Sequence, residues 1–250
     1  MRLLTVLPLA LVLASGCSVK FDWAWNKPAE PGTEAKASGK TVTEDRSLGA
    51  FSSIRLEGLG KLVFDPAIPA GTVRVTGDQG LLAHVRTEVS GTDLTLREDQ
   101  VQSLDAFQLE FRMAAPSSLT SLTLAGLGSV ESLAPLKTGD LNVSLEGMGK
   151  VDLDVTAGAV VLHQQGQGEL AVRGTASRVE IRTNGLGKVD AGGLQTKTAD
   201  VANDGLGEVR VYASEKLKVR AGGVGAVHFW GHPAQTDVQT EGLTKVSAGD

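Results

Sequence analysis

Between Leu141 and Val155 the chain alternates apolar and polar positions without a slip. Leu141, Val143, Leu145, Val151, Leu153 and Val155 share one face with Gly147 and Gly149, while Asn142, Ser144, Glu146, Met148, Lys150, Asp152 and Asp154 share the other. Period two is the strand period, because successive side chains of an extended chain point to opposite faces. The same pattern, with a glycine pair at the same phase, returns over residues 179–189, 201–211 and 217–229. A helical template fits none of these segments. Each predicts a strand, a bend at the glycines, and a second strand.

The glycine pairs themselves repeat. Eight Gly-x-Gly copies begin at Gly58, Gly126, Gly147, Gly166, Gly185, Gly205, Gly223 and Gly242, the last reading Gly242-Leu243-Thr244 with its second glycine replaced. From the second copy on they are spaced 18 to 21 residues apart. A fixed period near that length marks a stacked solenoid, in which each repeat contacts only its neighbours. At roughly 3.3 Å per strand residue, one repeat closes one circuit of a small coil with two or three flat sides. An antiparallel sandwich also accepts short alternating strands with glycine turns, but it gives no reason for a fixed interval. Gly147, Gly149, Gly185, Gly187, Gly205 and Gly207 lie in phase with the core positions. They are expected to be turn glycines facing inward at a tight corner, where a side chain overpacks the interior.

The N-terminal half is less regular. Strands are expected near residues 72–76, 83–89, 92–97 and 108–113, without a glycine pair, and read as diverged rungs. Loops at residues 65–71 and 98–104 separate them, and Ala114-Ala115-Pro116 ends the run.

Composition narrows the class. The 250 residues include 31 Gly, one Cys and one Tyr, with 4% aromatics, so the core is aliphatic. A net charge of −5 with both signs interspersed leaves no basic footprint for nucleic acid. Residues 1–16 read as an export signal: Arg2, then an apolar stretch from Leu3 to Leu13, then Ala14-Ser15-Gly16. The stretch is too short to span a bilayer. Cys17 follows at once, and the segment resembles the bacterial lipobox, with Ala14 where Leu is commoner. The resemblance implies lipidation of Cys17 and a membrane partner reached through the N-terminal lipid anchor. Residues 17–45 read as the lipidated cysteine and a flexible tether, broken by Pro28, Pro31, Gly32 and Gly39. Phe21, Trp23 and Trp25 within it suit either the membrane interface or a short strand docked on the domain.

Residues 46–250 carry a further resemblance. The opening Leu48-Gly49-Ala50-Phe51-Ser52-Ser53-Ile54, the ending Val227-His228-Phe229-Trp230-Gly231-His232-Pro233 and the glycine repeat between them resemble the family described as auto-transporter adhesin, head GIN domain. That resemblance implies an all-β fold: a single-stranded right-handed parallel β-helix with rungs of about 20 residues, on exported proteins that are often lipoproteins. Where the family usually has Ser-Gly-Ser-Gly and then an acid, this chain has mostly Gly-Leu-Gly followed by Lys, Glu or Ser, so no serine-ladder role carries over.

Candidate chemistry is sparse. Hydrolysis of glycosides needs two carboxylates about 5 to 9.5 Å apart. The row after the second glycine reads Lys61, Ser129, Lys150, Glu169, Lys188, Glu208, Ala226 and Lys245, and the row before the first reads Glu57, Ala125, Glu146, Gln165, Asn184, Asp204, Gly222 and Glu241. These are solvated ladders of mixed sign, and Asp152 and Asp154 have no evident partner. His84, His163, His228 and His232 show no metal-ligand spacing, and His228 and His232 bracket a turn. No catalytic residue, metal or cofactor is expected.

The position between the glycines stands out: Leu59, Leu127, Met148, Gln167, Leu186, Leu206, Val224 and Leu243. By alternation these point outward. On stacked rungs they form an apolar stripe exposing on the order of 400 Å², more than a monomer usually shows without a use. A flip of register at the glycine bend would bury them instead. The expected function is therefore that of a non-catalytic exported lipoprotein: a binding, adhesion or scaffold module at the cell envelope, in the outer membrane. Its partners would be a protein or glycan ligand or a second copy of itself. A carbohydrate-active enzyme on the same fold and a self-assembling scaffold are the alternatives.

Overall fold

The computed structural model describes residues 37–99 and 108–249. The expected signal peptide, Cys17, Phe21, Trp23 and Trp25 lie outside them. Among the described residues there are strands throughout and one short 3-10 turn, Leu82–His84. The strands build a parallel β-solenoid.

Two long stacks carry it. The first holds Ser53–Leu56, Ser121–Leu124 and Leu141–Leu145, then the second halves of Met148–Gln164 and Gln167–Thr183, then Thr198–Asn203, Lys216–Ala221 and Gln235–Thr240. The second holds Leu59–Phe64 and Leu127–Ser132, the first halves of the same two long strands, then Leu186–Ala191, Leu206–Tyr212, Val224–Trp230 and Leu243–Ala248. A short third side appears where Leu136–Lys137 lies beside Val155 and Thr156, and Leu194–Gln195 beside Gly174 and Thr175.

The strand register is the glycine register. Gly128 pairs with Gly149, Gly149 with Gly168, Gly168 with Gly187, Gly187 with Gly207 and Gly207 with Gly225. Two residues on, Val130, Val151, Leu170, Val189, Val209 and Val227 stack inward as one ladder, each at most 1% exposed. Burying each such side chain contributes roughly 1.5–3 kcal/mol. Repetition of that term, rung after rung, holds an elongated coil that has few rings in its core.

The glycines sit at the corner between the two stacks, but their role differs from the expected one. A Cβ placed on Gly187 points at the carbonyl of Gly168 in the preceding rung, far inside contact distance, and Gly187 has φ +136°. Gly147, Gly149, Gly185, Gly205 and Gly207 likewise face the backbone of the rung before. A side chain there would pry rungs apart; it would not overpack the interior. Rungs approach this closely because the ladder runs unbroken through the bend. Met148, Leu186 and Leu206 donate their N–H to the first-glycine carbonyls Gly126, Gly166 and Gly185, each at 3.0 Å.

The N-terminal half departs from a series of diverged rungs. Thr72–Asp78 runs antiparallel to Glu110–Met113, Thr41–Ser47 runs antiparallel to Thr72–Asp78, and Val85–Ser90 forms an antiparallel hairpin with Asp93–Glu98. Of the four expected strands only the last two stack parallel, and they do so out of chain order. Asp93–Glu98 pairs with Ser53–Leu56 on the side away from Ser121–Leu124. Glu110–Met113 pairs with Leu59–Phe64 on the side away from Leu127–Ser132. Alternation alone does not separate parallel from antiparallel neighbours, so the sequence pattern does not reveal this arrangement. The folded unit also starts ahead of residue 46, since Thr41–Asp45 lies in the sheet rather than in a tether. Asp78 fastens that strand by accepting from the backbone N–H of Ser38 and Gly39.

Candidate functional site

The side chains between the glycines point outward, as alternation requires. Leu127, Met148, Leu186, Leu206, Val224 and Leu243 are 39%, 49%, 42%, 52%, 44% and 81% exposed. Leu59 is half-buried, and Gln167 is exposed. Each is the register partner of the next: Leu59 of Leu127, Leu127 of Met148, Met148 of Gln167, Gln167 of Leu186, Leu186 of Leu206, Leu206 of Val224 and Val224 of Leu243. The result is one straight column of apolar side chains along the corner, interrupted once by an amide. The flip that would bury these residues does not occur.

Charged rows flank the column. On the side after the glycines, Lys150 bonds Glu169 at 3.2 Å, and Lys188 meets Glu169 at 4.0 Å and Asp190 at 2.7 Å. On the other side Arg55 joins Glu57 and Glu146, at 2.8 and 2.9 Å. The hydrogen bond from Arg55 to Glu146, ahead of its bond to Glu57, raises the guanidinium pKa further. Asp152 and Asp154 do have a partner, since Arg173 reaches both. Exposed pairs of this kind are worth about 0–1 kcal/mol each, so they can exchange partners at little cost.

At the first rung the column's backbone support changes. Leu59 has no glycine carbonyl beneath it, and its N–H donates to the Glu98 carboxylate at 2.6 Å instead. Burial pushes the Glu98 carboxyl above the usual range, against the lowering effect of that hydrogen bond. Its second oxygen is buried without a partner among the described residues. Sequence reasoning missed Glu98. The available signal was its place two residues beyond Leu96, where every later rung has glycine.

Two surface cavities are also present. The one lined by Asp45, Asp65, Arg74 and Arg112 neutralises itself, with Arg74 on Asp45 at 2.8 Å and Arg112 on Asp65 at 3.4 Å. The other, of about 450 Å³, is lined by Asp190, Gly192, Gly193, Gln195, Arg210, Tyr212 and Trp230. Nearby, His228 Nδ1 and Ser247 Oγ are 3.1 Å apart, and among the described residues no carboxylate bonds that histidine. His232 occupies the closing turn with φ +50°, a structural position. Among the described residues no group of three His, Cys, Asp or Glu could hold a metal ion, and no helix is long and apolar enough to cross a membrane.

Residues 50–233 match the family described as putative auto-transporter adhesin, head GIN domain. The chain belongs to that family. Its fold is similar to a putative adhesin from Bacteroides fragilis, at 21% identity and a TM-score of 0.76, over 87% of this chain and all of that one. It is also similar to a putative lipid binding protein from Parabacteroides distasonis, at 20% identity and a TM-score of 0.60, over 84% of this chain and 98% of that one. A putative adhesin from Parabacteroides merdae matches at 19% identity and a TM-score of 0.58, over 84% and 98%. At these identities the likeness concerns the fold. No curated protein matches the chain.

Proposed function

We propose that this chain is an exported, lipid-anchored binding module of the cell envelope, without catalysis, and that the apolar column is its contact surface. The carrying observation is the column itself: six exposed apolar side chains held in register along one edge of a rigid coil. Family membership supports an adhesion-type role at the cell surface. The proposed anchor is Cys17, with the solenoid beyond a tether at the outer membrane.

A second copy of the chain fits the column well. The row before the glycines carries acids and no base, whereas the row after them carries Lys61, Lys150, Lys188 and Lys245 against Glu169 and Glu208. Two copies packed column to column about a twofold axis along the coil would set one row against the other. Glu57 would then face Lys61, Glu146 face Lys150, and Glu241 face Lys245, with an apolar seam between polar rims, as interfaces tend to have. Such a pair is parallel, so both N-termini leave toward the same membrane.

Sedimentation of the full chain carrying Cys17→Ser tests this. Concentration-dependent dimers are expected, lost with Leu186→Ser plus Leu206→Ser, weakened by Lys150→Glu, and restored when Glu146→Lys is added. A chain that stays monomeric at all concentrations would remove the second copy as the partner. A different protein or glycan would then have to occupy the column.

A further inference from the structure

The cavity at the far end of the second stack has a composition that the column lacks. Tyr212 and Trp230 are register partners on adjacent rungs. Both fall on the outward phase of their strands, next to the inward Val211 and Phe229. Both rings are half-buried, and one edge of the Trp230 indole packs against Gly249. In the rung before, the same outward row carries glycine: Ala191 pairs with Val211, and Gly192 follows it. The missing side chain opens the hollow. A Cβ on Gly192 would stand 3.4 Å from Trp230 Cζ3, 3.4 Å from Asp190 Oδ1 and 3.5 Å from Arg210 Cβ, so the glycine is the floor on which ring, carboxylate and guanidinium stem converge.

The polar groups are planar and partly uncommitted. Asp190 accepts from the Gly192 N–H at 3.2 Å, pairs with Lys188 Nζ at 2.7 Å and lies 3.6 Å from Arg210 Nη1, which leaves lone pairs on a carboxylate already held in place. Arg210 is held from behind by Glu208 through its Nε, which leaves its outer nitrogens for a ligand. The Gln195 amide and the Tyr212 hydroxyl form no side-chain hydrogen bond among the described residues, and Gln195 is exposed.

We infer that this cavity binds a neutral saccharide. A pyranose has one face of C–H groups and an edge of vicinal hydroxyls, each both donor and acceptor. The C–H face, slightly positive, suits the electron-rich faces of Trp230 and Tyr212. The vicinal hydroxyls suit the two-pronged carboxylate, guanidinium and amide of Asp190, Arg210 and Gln195. Asp190 is paired with Lys188 and Arg210 with Glu208, so the charges cancel and no ionic ligand is demanded. The volume of about 450 Å³ lies in the lower part of the ~300–1,000 Å³ range of small-molecule pockets. Asp190 is the one carboxylate in the lining, and two-carboxylate hydrolysis needs a second, so the site retains a sugar and does not cleave it. Tyr212 and Trp230 stand six residues beyond Leu206 and Val224 on their strands, about 20 Å from the column. The saccharide site is thus separate from the proposed contact surface.

The chain supplies its own probe. Its three tryptophans are Trp23, Trp25 and Trp230, so the full chain with Cys17→Ser, Trp23→Phe and Trp25→Phe reports from Trp230 alone. Emission would be followed against neutral tetrasaccharides of glucose, mannose and N-acetylglucosamine, a uronic-acid tetrasaccharide, and phosphatidylcholine vesicles. The glucose and mannose arms represent capsular or host glycans, and the N-acetylglucosamine arm represents wall polymer. A saturable change with at least one neutral sugar is expected. Gln195→Ala should weaken it about fivefold, as loss of one or two hydrogen bonds would. Gly192→Leu, which fills the floor, should abolish it with the melting temperature kept within a few degrees of the parent. Leu186→Ser plus Leu206→Ser should leave it unchanged. The inference is overturned by no saturable response to any neutral sugar, by a response only to the uronic acid or the vesicles, or by binding that Gly192→Leu does not alter.

Discussion

At the scale of single residues, backbone proximity decides what each position tolerates. Gly187 and Lys188 are neighbours with opposite demands. A side chain at 187 meets the Gly168 carbonyl and must adopt a positive φ, while Lys188 points outward. Gly187→Ala is expected to cost about 1–3 kcal/mol or more, and Lys188→Ala well under 1, in equilibrium unfolding. Equal losses would contradict the corner geometry. The phase of the glycines was legible from alternation. The direction of their missing side chains was not, because it depends on the rung beneath. Glu98 gives a pH dependence of known sign. Its folded pKa is raised by burial, so its contribution is complete below the ordinary glutamate pKa and is lost as pH rises through the folded value. Glu98→Gln keeps an acceptor for Leu59 and removes the charge. Its melting temperature is expected to exceed the parent's at neutral pH and to converge on it near about pH 4; the reverse ordering would show that the carboxylate is favourable where it sits.

Among elements, the contrast is between the regular array and its N-terminal cap. From Gly126 onward the sequence repeats a register mark in every rung, and pairing follows it residue by residue. Before Gly126 strand positions were legible, but Thr72–Asp78 and Val85–Ser90 carry no mark that says which neighbour they take or in which direction. The cap closes one end of the coil with antiparallel strands, and its outermost strand depends on Asp78. That carboxylate accepts from Ser38, Gly39 and Gly80, with the Ser38 N–H first among the causes that hold its pKa below the usual range. Asp78→Ala should therefore speed amide exchange across Thr41–Ser47 while leaving the rungs after Gly126 protected. Unchanged exchange in that strand would show that its ladder to Thr72–Asp78 suffices alone.

For the whole molecule, the solenoid presents two surfaces, a column along one corner and a hollow at another, on a body that we propose is joined to a membrane through Cys17. If Cys17 carries the lipid, Cys17→Ser moves the protein from the detergent phase to the aqueous phase in phase separation, since stable attachment rests on the acyl chains at about 0.8 kcal/mol per CH₂. Partition like the wild type would remove the anchor. The column was legible from position alone, because one residue type recurs between the glycines at the outward phase. The hollow was not, since Gly192, Tyr212 and Trp230 come together only when rungs 18 to 20 residues apart stack.

That the column faces water rather than the core is the claim on which its use as a contact surface depends. Equilibrium unfolding of Leu186→Ser plus Leu206→Ser, at a concentration where the Cys17→Ser parent is monomeric, tests it most directly. A change within about 1 kcal/mol is expected, as for exposed positions. A loss of about 4 kcal/mol or more, the cost of truncating two buried leucines, would put these side chains in the core and leave the solenoid without a column.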